Sequence, residues 1–116
     1  MATKQELENN ADGILDAAAQ ENDQVKQFCV IWTGMVKPAL ELVKVFTGAN
    51  ADEQIDKLIY AADGVCKGSN VDVQNYCNTW RAFHLKGLLK GIQVFTGAKV
   101  DKALNKFIEL SDNLCA

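Results

Sequence analysis

The sequence predicts an all-α fold: a five-helix bundle stapled by disulfides, made of one leading helix and two duplicated helical hairpins. Three observations predict it. Apolar residues recur at three- and four-residue spacing along the chain, and no stretch shows the two-residue alternation of a half-buried strand. A phrase occurs twice: Val45-Phe46-Thr47-Gly48-Ala49 returns as Val94-Phe95-Thr96-Gly97-Ala98, 49 positions later. Four cysteines fall at equivalent places in the two copies.

The copied stretch is long. The same offset pairs Lys37 with Lys86, Leu40 with Leu89, Asp52 with Asp101, Asp63 with Asp112 and Cys66 with Cys115. Further upstream the offset is 48, pairing Phe28 with Tyr76, Cys29 with Cys77 and Trp32 with Trp80. One residue has been gained between Trp80 and Lys86. Internal repetition of a supersecondary unit sets the architecture before any single residue does. A chain of 116 residues is about one domain with a modest core. It reads as a single unit, residues 1–116: a leading helix over 3–20, a first hairpin over 23–67 and a second over 71–116.

In the leading helix, Leu7, Ala11, Ile14, Leu15 and Ala18 make one apolar stripe, the signature of a helix lying on a core. Gln20 to Asp23 is a polar break in which Asn22 or Asp23 can cap the next helix. The first long helix runs from Val25 through Phe28, Cys29, Trp32, Met35, Val36, Leu40 and Val43 to Phe46. Gly48 ends it in the left-handed position that follows many helices. Pro38 sits inside it, and its second-copy equivalent is Gly87, so both long helices are expected to bend at one place. Asn50 and Glu53 are spaced like a capping box for a helix burying Ile55, Leu58, Ile59, Ala62 and Val65. Residues 67–70 form the turn between copies. The second long helix buries Val73, Tyr76, Cys77, Trp80, Phe83, Leu88, Ile92 and Phe95, with His84 on its apolar side. The extra residue near Phe83 is expected as a π-bulge, a feature often found at functional sites. Gly97 ends this helix, and the last one buries Val100, Ala103, Leu104, Phe107, Ile108 and Leu114 before closing at Cys115.

Charge is uneven. Residues 1–58 hold five Lys against ten acids, and residues 59–116 hold six Lys and one Arg against five. That excess is too thin for a nucleic-acid footprint, which needs a dense Lys/Arg stripe. No apolar run approaches the ~20 residues of a membrane span. The opening residues Met1 to Glu6 are polar. They fit a cytosolic chain or a secreted one whose leader has been removed, and the cysteine pattern favours secretion, because four symmetric cysteines in a short chain read as a disulfide framework.

Each hairpin turns near Gly48 or Gly97. At 1.5 Å per residue, Cys29 lies roughly 29 Å before the first turn and Cys66 roughly 26 Å after it. Cys77 and Cys115 are placed similarly about the second. Cys29–Cys66 with Cys77–Cys115 is therefore the favoured pairing, each bridge worth roughly 3–4 kcal/mol in the chain-entropy model. Cys66–Cys77 with Cys29–Cys115 is the alternative. Four sulfurs at one end also raise zinc or an iron–sulfur cluster, but no close Cys-x-x-Cys pair is present, and no metal or cofactor is expected.

Catalysis needs convergent groups. His84 is the one histidine, two bridges would leave no thiol nucleophile, and no phosphate-binding glycine loop is present. The chain is not expected to be an enzyme. Phe28, Trp32, Tyr76 and Trp80 hold equivalent positions and are expected to fill the core near the bridges, a pocket for an apolar ligand being the alternative. Arg81, Lys86 and Lys90, in the copy that gains a residue, are the candidate partner-binding residues, with ordinary helix solvation the competing reading.

With these residues in view, the chain resembles the anopheline mosquito salivary family of albicin- and anophensin-like proteins. The likeness is one of kind over the whole chain: an all-helical mature secreted chain of this size, two bridges, and a first helix opening Thr3-Lys4-Gln5-Glu6-Leu7-Glu8-Asn9-Asn10. It implies an extracellular, blood-feeding role without catalysis. The partner would be a host plasma protein complex, with inhibition of the alternative complement pathway through its C3 convertase favoured over inhibition of contact-system activation. Nucleic acid and membrane are not expected as partners. Gly13-Ile14-Leu15-Asp16-Ala17, followed by Phe28-Cys29, Trp32 and Gly34, is also similar to the periplasmic immunity proteins of type VI secretion, which would imply a plug for a bacterial amidase. The duplication is not part of that pattern.

Overall fold

In the computed structural model, which describes residues 3–67 and 70–116, the chain is all-helical, with no strand among the described residues. Helix α1 spans Lys4–Ala19. Helix α2, Gln24–Ile31, passes through a π-helical turn at Trp32–Val36 into α3, Lys37–Val43, every junction residue keeping right-handed helical angles. Helix α4 is Ala49–Cys66. Helix α5, Asn70–Ala82, and α6, Leu85–Gly91, are separated by Phe83 and His84. A 3-10 turn at Ile92–Phe95 leads to α7, Ala98–Leu114.

The five-helix expectation is therefore corrected. The first long helix is one continuous rod, but the second is broken, giving six rods among the described residues. Helix α1 packs on α2 and α7, and α4 packs along α5. The expected turn at 67–70 falls on Gly68 and Ser69, outside the described residues.

The two long helices show why their irregularities arise. Trp32 and Lys37 are five residues apart, which in a regular α-helix turns them about 140° away from each other. The π turn closes that angle. Its last bond runs from the Lys37 N–H to the Trp32 carbonyl, and Pro38, which has no N–H to donate, follows directly at the start of α3. Trp80 and Lys86 are six apart, too many for one π turn, and the chain breaks at His84, whose φ of 52° is left-handed. The extra residue is thus absorbed as a break, and the π turn belongs to the copy without it. Both irregularities precede Pro38 and Gly87 rather than falling on them.

Local capping follows from short-range chemistry. Thr3 caps α1 and Asp23 caps α2, its carboxylate accepting from the Val25 N–H at 2.8 Å. Gly48 and Gly97 adopt one conformation, φ −81° and −82° with ψ 173°. They are N-caps of α4 and α7, not left-handed C-terminal residues. Asn50 consequently lies inside α4 and does not hold its N-cap position. Instead Thr47 donates to Asp52, and Thr96 to Asp101. Glu8 supplies a long-range cap: its carboxylate accepts from the N–H groups of Lys99 and Val100 at 3.2 and 3.1 Å.

The core runs through every element and holds Leu7, Ala11, Phe28, Ile31, Trp32, Met35, Leu40, Ile55, Leu58, Tyr76, Leu85, Leu89, Leu104 and Phe107. Cys29 bridges Cys66 and Cys77 bridges Cys115, with Cα atoms 5.5 and 5.3 Å apart. All four cysteines are bridged.

Two stretches depart from the expected core. Phe46 is 64% exposed and Phe95 39%. Each lies in an end turn beside a valine that is exposed as well.

Candidate functional site

The geometry of the second copy is set by one carboxylate. Asp112, on α7, accepts from the Trp80 indole N–H at 3.2 Å and from Lys86 Nζ at 2.9 Å. The Lys86 bond, opposed by partial burial and helped by Trp80, holds the Asp112 carboxyl below the usual range. In the first copy Asp63 accepts from Trp32 at 2.8 Å and Lys37 at 2.9 Å. There burial pushes the carboxyl upward, but the Trp32 and Lys37 bonds outweigh it, and the net shift is down.

Around Asp112 opens a hollow of about 630 Å³, lined by Trp80, Arg81, His84, Lys86, Gly87, Lys90 and Cys115. The structure thus brings the three candidate residues Arg81, Lys86 and Lys90 to one hollow, each in its own state. Lys86 is tied to Asp112. Arg81 donates to the Cys115 carbonyl. Lys90 makes no ion pair among the described residues.

His84 forms the lip of the hollow. It is exposed, not on the apolar side of a helix. Its left-handed backbone is the kind of local strain that needs support from its surroundings. The support comes from α4: Gln54 donates to the Phe83 carbonyl at 2.8 Å, and Lys57 Nζ sits 5.8 Å from the centre of the Phe83 ring. The His84 carbonyl is taken up by the N–H groups of Gly87 and Leu88 at 3.1 and 3.3 Å.

The repeat aromatics fill the interior. Phe28 meets Tyr76 edge-on at 5.0 Å and Phe107 at 4.7 Å, and Trp32 stacks on Phe107 at 5.7 Å. Tyr76 and Ser111 share a buried hydrogen bond of 2.7 Å. Burial raises the Tyr76 phenol well above its usual value, with the Ser111 bond working the other way.

No group of three or more His, Cys, Asp or Glu residues placed to hold a metal ion occurs among the described residues. No described helix is long and apolar enough to cross a membrane. Two disulfides fit an oxidising compartment.

Sequence reasoning missed the partnership of Trp, Lys and Asp. Its signal was present: Asp63 and Asp112 recur at the repeat offset alongside Trp32, Trp80, Lys37 and Lys86. It also missed the exposed Val-Phe turns, although two adjacent apolar residues beside Thr-Gly at a helix end were visible in both copies.

Comparison with family models, curated proteins and solved structures finds no match.

Proposed function

We propose that the protein is a secreted, non-catalytic inhibitor that works by covering part of a host plasma protein complex, built on a leading helix and two duplicated helical hairpins. The observation that carries this reading is the convergence of Arg81, Lys86, Lys90 and His84 on one open hollow. That is the region where the second copy departs from the first in backbone and in charge. Exposed cations at an interface rim steer an acidic partner and set its association rate. The favoured partner is the C3 convertase of the alternative complement pathway, the target that the family resemblance implies.

The test is inhibition of serum haemolysis run separately by the alternative and classical routes. Wild-type protein should block the alternative route, and Arg81→Glu with Lys90→Glu should weaken inhibition at least tenfold. Lys4→Glu with Lys26→Glu should leave it unchanged. Lys86 is left in place because reversing it would set two carboxylates side by side at Asp112. Untouched alternative-pathway lysis at micromolar protein rejects the complement target. Surface activation of factor XII and prekallikrein would then test the contact-system reading.

A further inference from the structure

The end of the bundle formed by the two end turns carries an unexplained surface. Val45 is 71% exposed and Val94 80%, and together with Phe46 and Phe95 they are four of the five large apolar residues exposed among the described residues. The two phenyl rings stack on each other, 5.8 Å apart and 12° from parallel. The two turns are built alike: Gly48 and Gly97 share one conformation, and the Thr47–Asp52 and Thr96–Asp101 bonds repeat. A contiguous apolar ridge in water is the mark of a docking surface.

The flanks say what docks. Beside the first turn stand Glu41 and Glu53, and at the equivalent places beside the second stand Lys90 and Lys102, all four exposed. Glu41 and Lys90 stand four residues before the valines, and Glu53 and Lys102 lie in the second turn of α4 and α7, five residues after the glycine caps. The ridge is nearly symmetric about the stacked rings, while the charge on its two sides is opposite.

We propose that this end is a self-association surface that takes the same end of a second copy of this chain. A two-fold axis lying in the plane of the end face, perpendicular to the line joining the turns, places acid against base on both sides. It also brings the Val-Phe ridges together in the isologous manner of symmetric dimers. The valines and phenylalanines supply only the centre of a standard interface of about 800 Å² per partner, and the charged flanks complete it. The pair is therefore weak and reversible, and it loosens as salt rises.

Sedimentation equilibrium of the whole chain between about 1 µM and 1 mM, a span that brackets weak association, tests this. The expected result is monomer–dimer exchange. Val45→Asp with Val94→Asp should abolish the dimer with helical circular dichroism unchanged. Glu53→Lys alone and Lys102→Glu alone should each raise the dissociation constant about tenfold, and the double variant should restore it, since swapping both charges keeps the flanks complementary. Lys90 belongs to both surfaces, but the four varied positions Val45, Glu53, Val94 and Lys102 do not line the hollow around Asp112, so failure here leaves the inhibitor reading standing. A monomer at every concentration overturns the proposal. So does a dimer indifferent to both sets of variants, or a monomer whose valines are needed to bind phosphatidylcholine vesicles, which would assign the ridge to a lipid surface.

Discussion

The indole N–H of Trp32, buried completely, donates to the carboxylate of Asp63 at 2.8 Å across 31 residues of sequence. Lys37 closes on the other oxygen of the same carboxylate at 2.9 Å. The π turn between Trp32 and Lys37 is the backbone adjustment that lets both reach it.

Removing that carboxylate should therefore cost more than removing its repeat equivalent. Asp63→Ala leaves the Trp32 N–H unpaired in the core and should destabilise by roughly 1–3 kcal/mol. Asp112→Ala should cost less, because the Asp112 side chain is 43% exposed against 29% for Asp63, and water reaches its place more readily. Asp63→Asn keeps an acceptor and loses only the ion pair, about 0–1 kcal/mol. Urea unfolding followed by tryptophan fluorescence ranks the three. Equal losses at Asp63 and Asp112 would contradict this account.

Both carboxyls are held below their ordinary value of 3.8 when folded. A depressed folded value means that the unfolded chain binds the proton more readily. The stabilisation is full above about pH 4 and is lost as pH falls through the folded values. Stability measured from pH 6 down to pH 2 should fall below pH 4 for this reason. Asp63→Asn with Asp112→Asn should flatten that fall.

Gly48 and Gly97 share their backbone angles but not their surroundings. A Cβ at Gly48 meets nothing within 4 Å, whereas one at Gly97 would strike the Glu8 carboxylate. Gly97→Ala should therefore displace the long-range cap of α7, a loss of about 0.5–2 kcal/mol by analogy with other N-caps. Gly48→Ala should be near neutral. In a Glu8→Ala background the Gly97→Ala penalty should vanish, and thermal melts of the four proteins decide it.

The bridges span 37 and 38 residues. In the chain-entropy model each such loop is worth about 4 kcal/mol, a large share of a small domain's stability. Reduction should lower the melting temperature steeply. Non-reducing peptide mapping should recover Cys29 with Cys66 and Cys77 with Cys115. Any Cys66–Cys77 peptide from the native protein would count against the fold.

Periodicity and repetition by themselves determined that this chain is helical and where α1, α4 and α7 lie, and they favoured cysteine pairing across each end turn, which the structure then decided. Those properties are local or follow from spacing along a rod of known rise, so a string of residues carries them. The turns, the break and the outward-facing residues were decided only in three dimensions. Phe46 and Phe95 continue an apolar stripe on paper, yet the regular helix ends before them, and both members of each Val-Phe pair face outward. One inserted residue could be met by a π-bulge or a break. The choice fell to a break at His84 because Trp80 and Lys86 must both reach Asp112, a residue on another helix. Charge composition pointed to the second copy, but only packing gathered Arg81, Lys86 and Lys90 around one hollow and set Glu8, 91 residues from Lys99, on the end of α7. Contacts between distant elements depend on how whole helices seat against one another, and that is a property of the assembled core rather than of any window of sequence.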